Sequence, residues 1–380
     1  MTAMAQTSMN HDRTPLDRGS VGRLRRLPEL DSESYNDFLT GIRGWLFKDM
    51  SAATLARADE VIQNAVKLGE TLSFSRAKTL FEADQTMAAS MRFWISCQLM
   101  AHHSLLDVFH RYGDHFLKEM EEAEKSSCGS LELHPDLALP AYTRHEVHIQ
   151  PGGYVGEAFA GYVYHYGTNS FYLGGNDQDE VYLARAKHLS KPEHGRLDRI
   201  VEIGCGIGQY TLALKETYPL AEVWGLDVGA PMLRYAHARA VRLGVNVNFV
   251  QRLAEDTKFE DASADMVCAH ILFHEVSTTA AGEIIKEAAR ILRPGGVLEI
   301  TDFNVRREWT PYSEYRIWAD HYYNGEPWVA EYYNRDLLGM LAAAGFDIEV
   351  RDAPLALGFL KKYVASKPRK RAADKSKVAA

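Results

Sequence analysis

The sequence predicts an α/β fold, a doubly wound sheet preceded by a mainly helical domain. Three observations predict it. Ile200, Val201 and Ile203 form an apolar β-branched run, as a strand buried in a parallel sheet requires. The run stops at Gly204-Cys205-Gly206-Ile207-Gly208, and residues 210–216 then read as a helix. Upstream, residues 45–112 are poor in glycine and carry apolar side chains at three- and four-residue spacing, which suits packed helices rather than strands.

Taken in order, residues 1–30 are polar and irregular and read as a disordered tail. Its arginines (Arg13, Arg18, Arg23, Arg25, Arg26) surround no apolar core of the kind a signal peptide needs. A helical domain is expected over 31–140. Tyr35, Phe38, Leu39, Ile42, Trp45 and Leu46 share one helical face, and Ser51 is a candidate cap for a helix carrying Leu55, Ala58, Ile62, Ala65 and Val66. Long helical stretches follow at 74–97 and 101–125, and turn-rich residues 126–140 end the domain.

Residues 141–194 mix rings and histidines with glycines. Rings supply contact area and glycines supply hinges, so the segment suits a loop that closes over a ligand. The same composition suits a linker whose aromatics pack on the next domain. Residues 195–366 form the α/β domain, with an aromatic insertion at 303–333 carrying Trp309, Tyr312, Tyr315, Trp318, Tyr322, Tyr323, Trp328 and Tyr332. Ligands of open α/β sheets bind beyond the carboxyl ends of the strands, where this insertion should lie. A ring-lined pocket for a flat or cationic small molecule and a helical hairpin with a ring core both fit. Residues 367–380 are charged and read as a second disordered tail.

Composition narrows the function classes. The 46% hydrophobic and 25% charged fractions are ordinary for a globular protein, and 380 residues suggest two domains. No apolar run reaches membrane-spanning length, so no membrane association is expected. A formal charge of −8 argues against a general nucleic-acid surface. The four cysteines show no metal or disulfide spacing, which points to a reducing cytoplasm. His102, His103 and His110 have the wrong spacing for helix-borne ligands, so no metal is expected.

The glycine turn separates two chemistries. A dinucleotide fold wants G-x-G-x-x-G, but Gln209 stands at its third glycine, which disfavours a nicotinamide-dependent oxidoreductase. Instead G-x-G-x-G follows an acid, Glu202, and another acid, Asp227, ends an apolar strand 19 residues beyond Gly208. Ala254-Glu255-Asp256 and Leu292-Arg293-Pro294-Gly295-Gly296 follow at suitable intervals. Together these resemble the motifs of the class I S-adenosylmethionine (SAM)-dependent methyltransferases, over about residues 195–366.

That resemblance implies a seven-stranded sheet closed by an antiparallel hairpin at 347–350 and 357–364. It implies SAM as cofactor, held by Glu202, Gly204, Gly206, Gly208, Asp227, Val228, Glu255, Asp256 and His270. Asp227 would accept from the ribose hydroxyls and Asp256 from the adenine amine. The implied activity is methyl transfer to an O, N or C atom of a small-molecule acceptor. A methyltransferase of RNA or protein, or a SAM-binding protein of another activity, stays open. His270 and His274 both lie just past the fourth strand; His274, further from its end and beside Glu275, is the preferred base, with His165, Tyr166 and Asp302 as competitors. Tyr162, Trp318 and Tyr322 are the candidate acceptor contacts. Relatives with helical extensions often dimerise through them, so a homodimer is expected.

Overall fold

The computed structural model describes residues 14–305, 309–355 and 360–369. The expected disorder of 1–13 and 370–380 lies outside these residues. From residue 14 onward the disordered reading is corrected. A ribbon of β1 (Ser20–Val21) and β2 (Leu24–Arg25) lies on the body, with Leu24 and Leu27 buried. Arg23 donates to Asp179 at 3.3 Å and to Glu216 at 2.8 Å. Composition alone does not reveal that the body offers carboxylates to this arginine-rich segment.

The helical layer begins with α1 (Leu30–Trp45), which passes through a π-helical turn at Leu46–Met50 into α2 (Ser51–Lys67). Ser51 is therefore not a cap. The backbone at Met50 is already helical, so no free amide awaits a side chain there. α3 (Phe74–Ala83) starts at Ser73, whose hydroxyl accepts from the Arg76 amide. Asp84 separates it from α4 (Gln85–Arg111) by accepting the Thr86 and Met87 amides. α5 (Gly113–Ala123) follows a bend at Tyr112. The breaks thus fall at residues 84 and 112, not between 97 and 101.

β3 (Ser130–Glu132) leads to α6 (Gly153–Gly156), α7 (Ala160–Phe171) and α8 (Glu180–Lys187). The run expected as an aromatic loop is thus largely helical. Its rings alternate between two neighbours instead of closing from a hinge. The sheet is built from β4 (Arg199–Ile203), β5 (Glu222–Asp227), β6 (Asn248–Gln251), β7 (Ala264–His270), β8 (Leu292–Phe303), β9 (Asp347–Asp352) and β10 (Leu360–Ser366). α9 (Gln209–Thr217), α10 (Ala230–Leu243) and α11 (Thr278–Ile291) cover its faces. α12 (Pro311–Tyr323), α13 (Val329–Asn334) and α14 (Leu337–Ala343) lie between β8 and β9.

Strand order is β3-β6-β5-β4-β7-β8-β10-β9, with β10 antiparallel to both neighbours. The seven expected strands are present, and β3 adds an eighth by pairing parallel to β6. One apolar cluster lies on the α11 face, around Phe273 and Ile284, and another on the α9–α10 face, around Leu212 and Phe249. Complete burial of a side chain such as Phe249 contributes about 1.5–3 kcal/mol. A third cluster joins the helical layer to the sheet layer. There Phe109, Phe116, Tyr162 and Tyr166 pack with Met232 and Tyr235 of α10.

Beneath the glycine turn sits a buried polar knot. Asp179, the residue before α8, is fully buried and accepts from Arg239 and from Gln209 Nε2 at 2.8 Å. The side chain that replaces a third glycine therefore ties α9 to α8.

Candidate active site

The turn after β4 has three left-handed glycines, at φ +66, +52 and +70° for Gly204, Gly206 and Gly208. They differ in surroundings. A Cβ on Gly208 would lie 2.6 Å from Phe249 Cζ, and one on Gly204 would lie 2.7 Å from Leu272 Cδ1. A Cβ on Gly206 would meet only Met232 Cε, at 3.7 Å. Gly204 and Gly208 are glycines for packing, whereas the space over Gly206 is open to a ligand.

That space belongs to a chamber of about 170 Å³ lined by Glu202, Gly204, Gly206, Asp227, Val228, Glu255 and His270, among others. Asp227 accepts the Gly206 amide through Oδ2 and the Gly229 amide through Oδ1, both at 2.8 Å. Burial raises its pKa, against the pull of those amides. Burial also pushes Glu202 up to about 8, although the Thr211 hydroxyl donates to it. Glu255 accepts from the Tyr142 hydroxyl, while its Oε2 is buried without a partner. At the far side His270 faces Arg185, whose NH1 lies 2.5 Å from its Nε2. Burial and that guanidinium hold the imidazole pKa well below its usual value.

A second chamber of about 490 Å³ adjoins the first. His148, Tyr154, Tyr164, Tyr182 and Ile271 line both. Trp94, Phe47, Phe171, Tyr172, Phe303 and Tyr312 give it rings. Its polar wall includes Arg43, Gln98, His102, Arg185, His274, Arg316, Asp320 and Glu326. Arg43 is buried and binds no carboxylate. Its NH2 donates to Gln98 at 2.9 Å, and its Nε and the Trp94 Nε1 have no partner.

Histidines and carboxylates gather where the chambers meet. His274 Nδ1 lies 2.7 Å from Asp302, and its Nε2 lies 3.4 Å from Glu275. Burial alone would lower the His274 pKa, but Asp302 and then Glu275 outweigh it and hold it well above normal. His148 sits between Glu275, at 3.3 Å, and Glu326. Burial disfavours its charge too, yet Glu326 and Glu275 bring its pKa to about 9. About a third of the His148 side chain is accessible, and that surface faces the chambers.

Residues 200–296 match a family described as a methyltransferase domain. Over 150 residues the chain is 28% identical to an uncharacterized methyltransferase of Synechocystis sp., covering 40% of this chain and 67% of that protein. Over 107 residues it is 36% identical to the demethylmenaquinone methyltransferase of Thermus thermophilus, 28% of this chain and 47% of that one. A solved SAM-dependent methyltransferase from Aquifex aeolicus is 20% identical with a TM-score of 0.36, covering 50% of this chain and 94% of that one. The chain spans two thirds of the first curated relative's length and about half of the second's. The motif set, the strand order and the family match agree. The chain carries a class I SAM-dependent methyltransferase domain.

Its cofactor is SAM, and the residues present fit that group. Gly206 leaves the room a ligand's backbone approach needs, Asp227 is a buried acceptor, and the orphaned Glu255 Oε2 lies on the chamber wall. Of the residues assigned to SAM from sequence, Glu202, Gly204, Gly206, Asp227, Val228, Glu255 and His270 line the first chamber, while Gly208 supports it from behind. Asp256 is a correction. Its side chain is half exposed and pairs with Lys258, so Glu255 and not Asp256 faces the chamber.

The other assignments divide. His274 reaches the second chamber, but its ring nitrogens face carboxylates, Nδ1 Asp302 and Nε2 Glu275, so neither is turned to an acceptor. His165 is corrected: it is buried against α10, with Nδ1 2.6 Å from the Tyr235 hydroxyl, and lines neither chamber. Tyr166 donates to the Arg25 carbonyl at 2.6 Å, and Tyr162 packs with Phe109 and Tyr235; both lie outside the chambers. Trp318 and Tyr322 stack on each other at 5.3 Å beside α3, and Tyr322 is 66% exposed. They are corrected for the same reason. Of the three tyrosines at 162, 164 and 166, their helix turns only Tyr164 toward the chambers, a consequence of the 100° step per residue.

Sequence reasoning missed Arg43, Trp94, His148, Tyr154, Tyr182, Arg185 and Glu326. One signal was available: His145 and His148 stand three apart just ahead of a Gln-Pro-Gly-Gly turn. Arg43 and Trp94 sit inside amphipathic helices and carry no signal of their own. His102 lines the second chamber, but His103 and His110 are exposed, so these three histidines do not converge.

Proposed function

We propose that this protein transfers the methyl group of SAM to an O, N or C atom of a small-molecule acceptor held in the second chamber. What carries the reading is the shared wall of the two chambers, His148, Tyr154, Tyr164, Tyr182 and Ile271. An acceptor beyond that wall would face the cofactor's reactive end. When bound, SAM would supply a methyl carbon already activated by its positively charged sulfur.

The chain's own part is alignment and exclusion of water. In this reading Asp227 accepts from the ribose hydroxyls and Glu255 from the adenine edge. Tyr154 and Tyr164, edge to face at 5.4 Å, shape the opening. Burial raises both phenols, so they stay neutral. His274 acts as a positioning residue that fixes Glu275. The acceptor's apolar part lies on Trp94, Phe47 and Phe171, and an anionic group on it answers the uncompensated Arg43.

The enclosed chamber argues for a small acceptor over RNA or protein, and Gln209 with its bond to Asp179 argues against a nicotinamide site. Among the described residues no helix is long and apolar enough to cross a membrane. Cys97, Cys128, Cys205 and Cys268 are free, in keeping with a proposed cytoplasmic setting. We also propose a homodimer through the helical layer, where Phe38, Trp45 and Phe93 are exposed. Sedimentation as a monomer at high micromolar concentration would remove that idea. The main reading is tested with tritiated-methyl SAM against fractionated metabolite extracts. Label transfer to a small product is expected; transfer only to macromolecules would overturn the acceptor class.

A further inference from the structure

We propose that His148, Glu275 and Glu326 form a site for one divalent first-row cation at the junction of the two chambers. The inference rests on the reading of the second chamber as the acceptor site. One donor atom from each residue lies within 4.8 Å of the others, the only such group among the described residues. The three come from separate segments: the turn before α6, the turn after β7 and the loop after α12.

A second observation points to a ligand. Glu275 Oε2 and Glu326 Oε2 are both buried without a hydrogen-bond partner, and Glu326 is only 6% exposed. A buried carboxylate oxygen needs a donor or a cation. Two carboxylates flank one imidazole in an enclosed place, and a divalent cation that displaces the imidazole proton would bind all three and compensate their charge.

The backbone holds the set in position. His148 and Ile149 are both left-handed at φ 52°, unusual for residues that bear a Cβ. Gly325 is left-handed as well, and a Cβ there would lie 2.4 Å from the Glu146 carbonyl. Residues 146–149 are thus pressed onto 325–326, which sets His148 against Glu326. Behind the cluster, His274 holds Glu275 at 3.4 Å and is itself held by Asp302, the kind of outer partner that orients a ligating carboxylate.

The donor set names the class of ion. One imidazole nitrogen with two carboxylates suits Mn²⁺, Fe²⁺, Co²⁺ or Zn²⁺ better than Ca²⁺, which takes oxygens alone, or Cu⁺, which prefers sulfur. Three protein ligands leave positions open, as sites that bind a substrate atom do. His148 and Glu326 line the second chamber, so an oxygen or nitrogen of the acceptor would fill those positions beside the methyl donor.

The test uses the full chain, stripped with a chelator and titrated with Mn²⁺ (electron paramagnetic resonance) and with Zn²⁺ (calorimetry). About one equivalent is expected to bind. Glu326→Gln and Glu275→Gln, close in shape to wild type, should each weaken binding by at least about tenfold, the loss that even an outer partner gives. SAM affinity is measured on the same samples. SAM binding with no Mn²⁺ or Zn²⁺ binding below millimolar would overturn the proposal and leave the methyltransferase reading intact. Metal binding without SAM binding would do the reverse. Wild-type affinity in both variants would also overturn it, leaving the cluster a hydrogen-bonded triad only.

Discussion

Asp227 Oδ2 accepts the Gly206 amide at 2.8 Å, so the acid that ends β5 holds the glycine turn that ends β4. Each carboxylate oxygen retains a lone pair after its backbone bond, which leaves Asp227 able to accept from a ligand's hydroxyls as well. Asp227→Ala should lose both functions. A hydrogen bond to a charged group contributes about 1.5–3 kcal/mol, so SAM affinity should fall roughly 10- to 150-fold. Calorimetric titration measures this, and an unchanged Kd would remove Asp227 from the cofactor site.

The neighbouring glycines should separate stability from binding. Both Gly206→Ala and Gly208→Ala force a side chain into the left-handed region, a cost of about 1–2 kcal/mol. Only the second drives a Cβ into Phe249, with contacts of 2.6 and 2.8 Å to its ring. Overpacking adds about 1–3 kcal/mol. Gly208→Ala should therefore show the lower melting temperature, and Gly206→Ala the larger loss of SAM affinity relative to its loss of stability. Equal melting temperatures with equal SAM affinities would contradict the division of roles.

Glu202 gives a pH dependence with a definite sign. Burial raises its pKa from an ordinary 4.5 to about 8. Folding thus favours its protonated form, and the associated stability is fully present below about pH 4.5 and lost as pH rises through about 8. His148, raised to about 9, acts in the same direction above its ordinary 6.5. Buried histidines held below their usual pKa, such as His102 and His270, act in the opposite sense, so the Glu202 contribution is read by comparing the melting of wild type and a variant, both SAM-free. Between about pH 5.5 and pH 8.5, Glu202→Gln, which keeps an acceptor for Thr211, should lose less stability or gain more than wild type. A change of equal size in the variant would show that Glu202 ionises as freely in the fold as outside it.

The sheet was legible because its strands carry dense β-branched runs broken by glycine turns; Ile200 to Ile203 and the Pro294-Gly295-Gly296 turn needed no tertiary context. The first chamber, the proposed SAM site, was legible for the same reason, since its walls are those turns. Asp256 and Glu255 show where this stops. Adjacent residues in a turn differ by one backbone step, and only the fold decides that Lys258 takes the first and Tyr142 the second. The second chamber, the proposed acceptor site, was barely legible. Tyr162, Tyr164 and Tyr166 look alike in sequence, yet one helical turn sends the first and last into a core with Phe109 and leaves Tyr164 on the chamber wall. Arg43 and Glu326 reach that wall from helices and loops nearly 300 residues apart, a convergence that no local pattern encodes.

Acceptor binding should accordingly follow the chamber and not the exposed rings. Arg43 is a buried cation whose contacts are an amide oxygen and a carbonyl, so its charge is uncompensated until an anion arrives. Arg43→Met keeps most of the volume and removes the charge. It should raise the acceptor's KM or lower kcat/KM by roughly 10- to 150-fold, the effect of losing a charge-assisted bond of about 1.5–3 kcal/mol, while SAM affinity stays within a few-fold. Trp318 and Tyr322 lie on the α3 side of α12, away from both chambers, with the Lys78 ammonium 4.3 Å from the Trp318 ring. Tyr322→Ala should change stability by no more than about 0.5 kcal/mol and leave acceptor kinetics unchanged. Trp318→Ala should lower the melting temperature by unpacking α3 from α12, again with the acceptor's KM intact. If Tyr322→Ala raises that KM while Arg43→Met does not, the acceptor binds on the exposed aromatic face and the enclosed chamber is not its site.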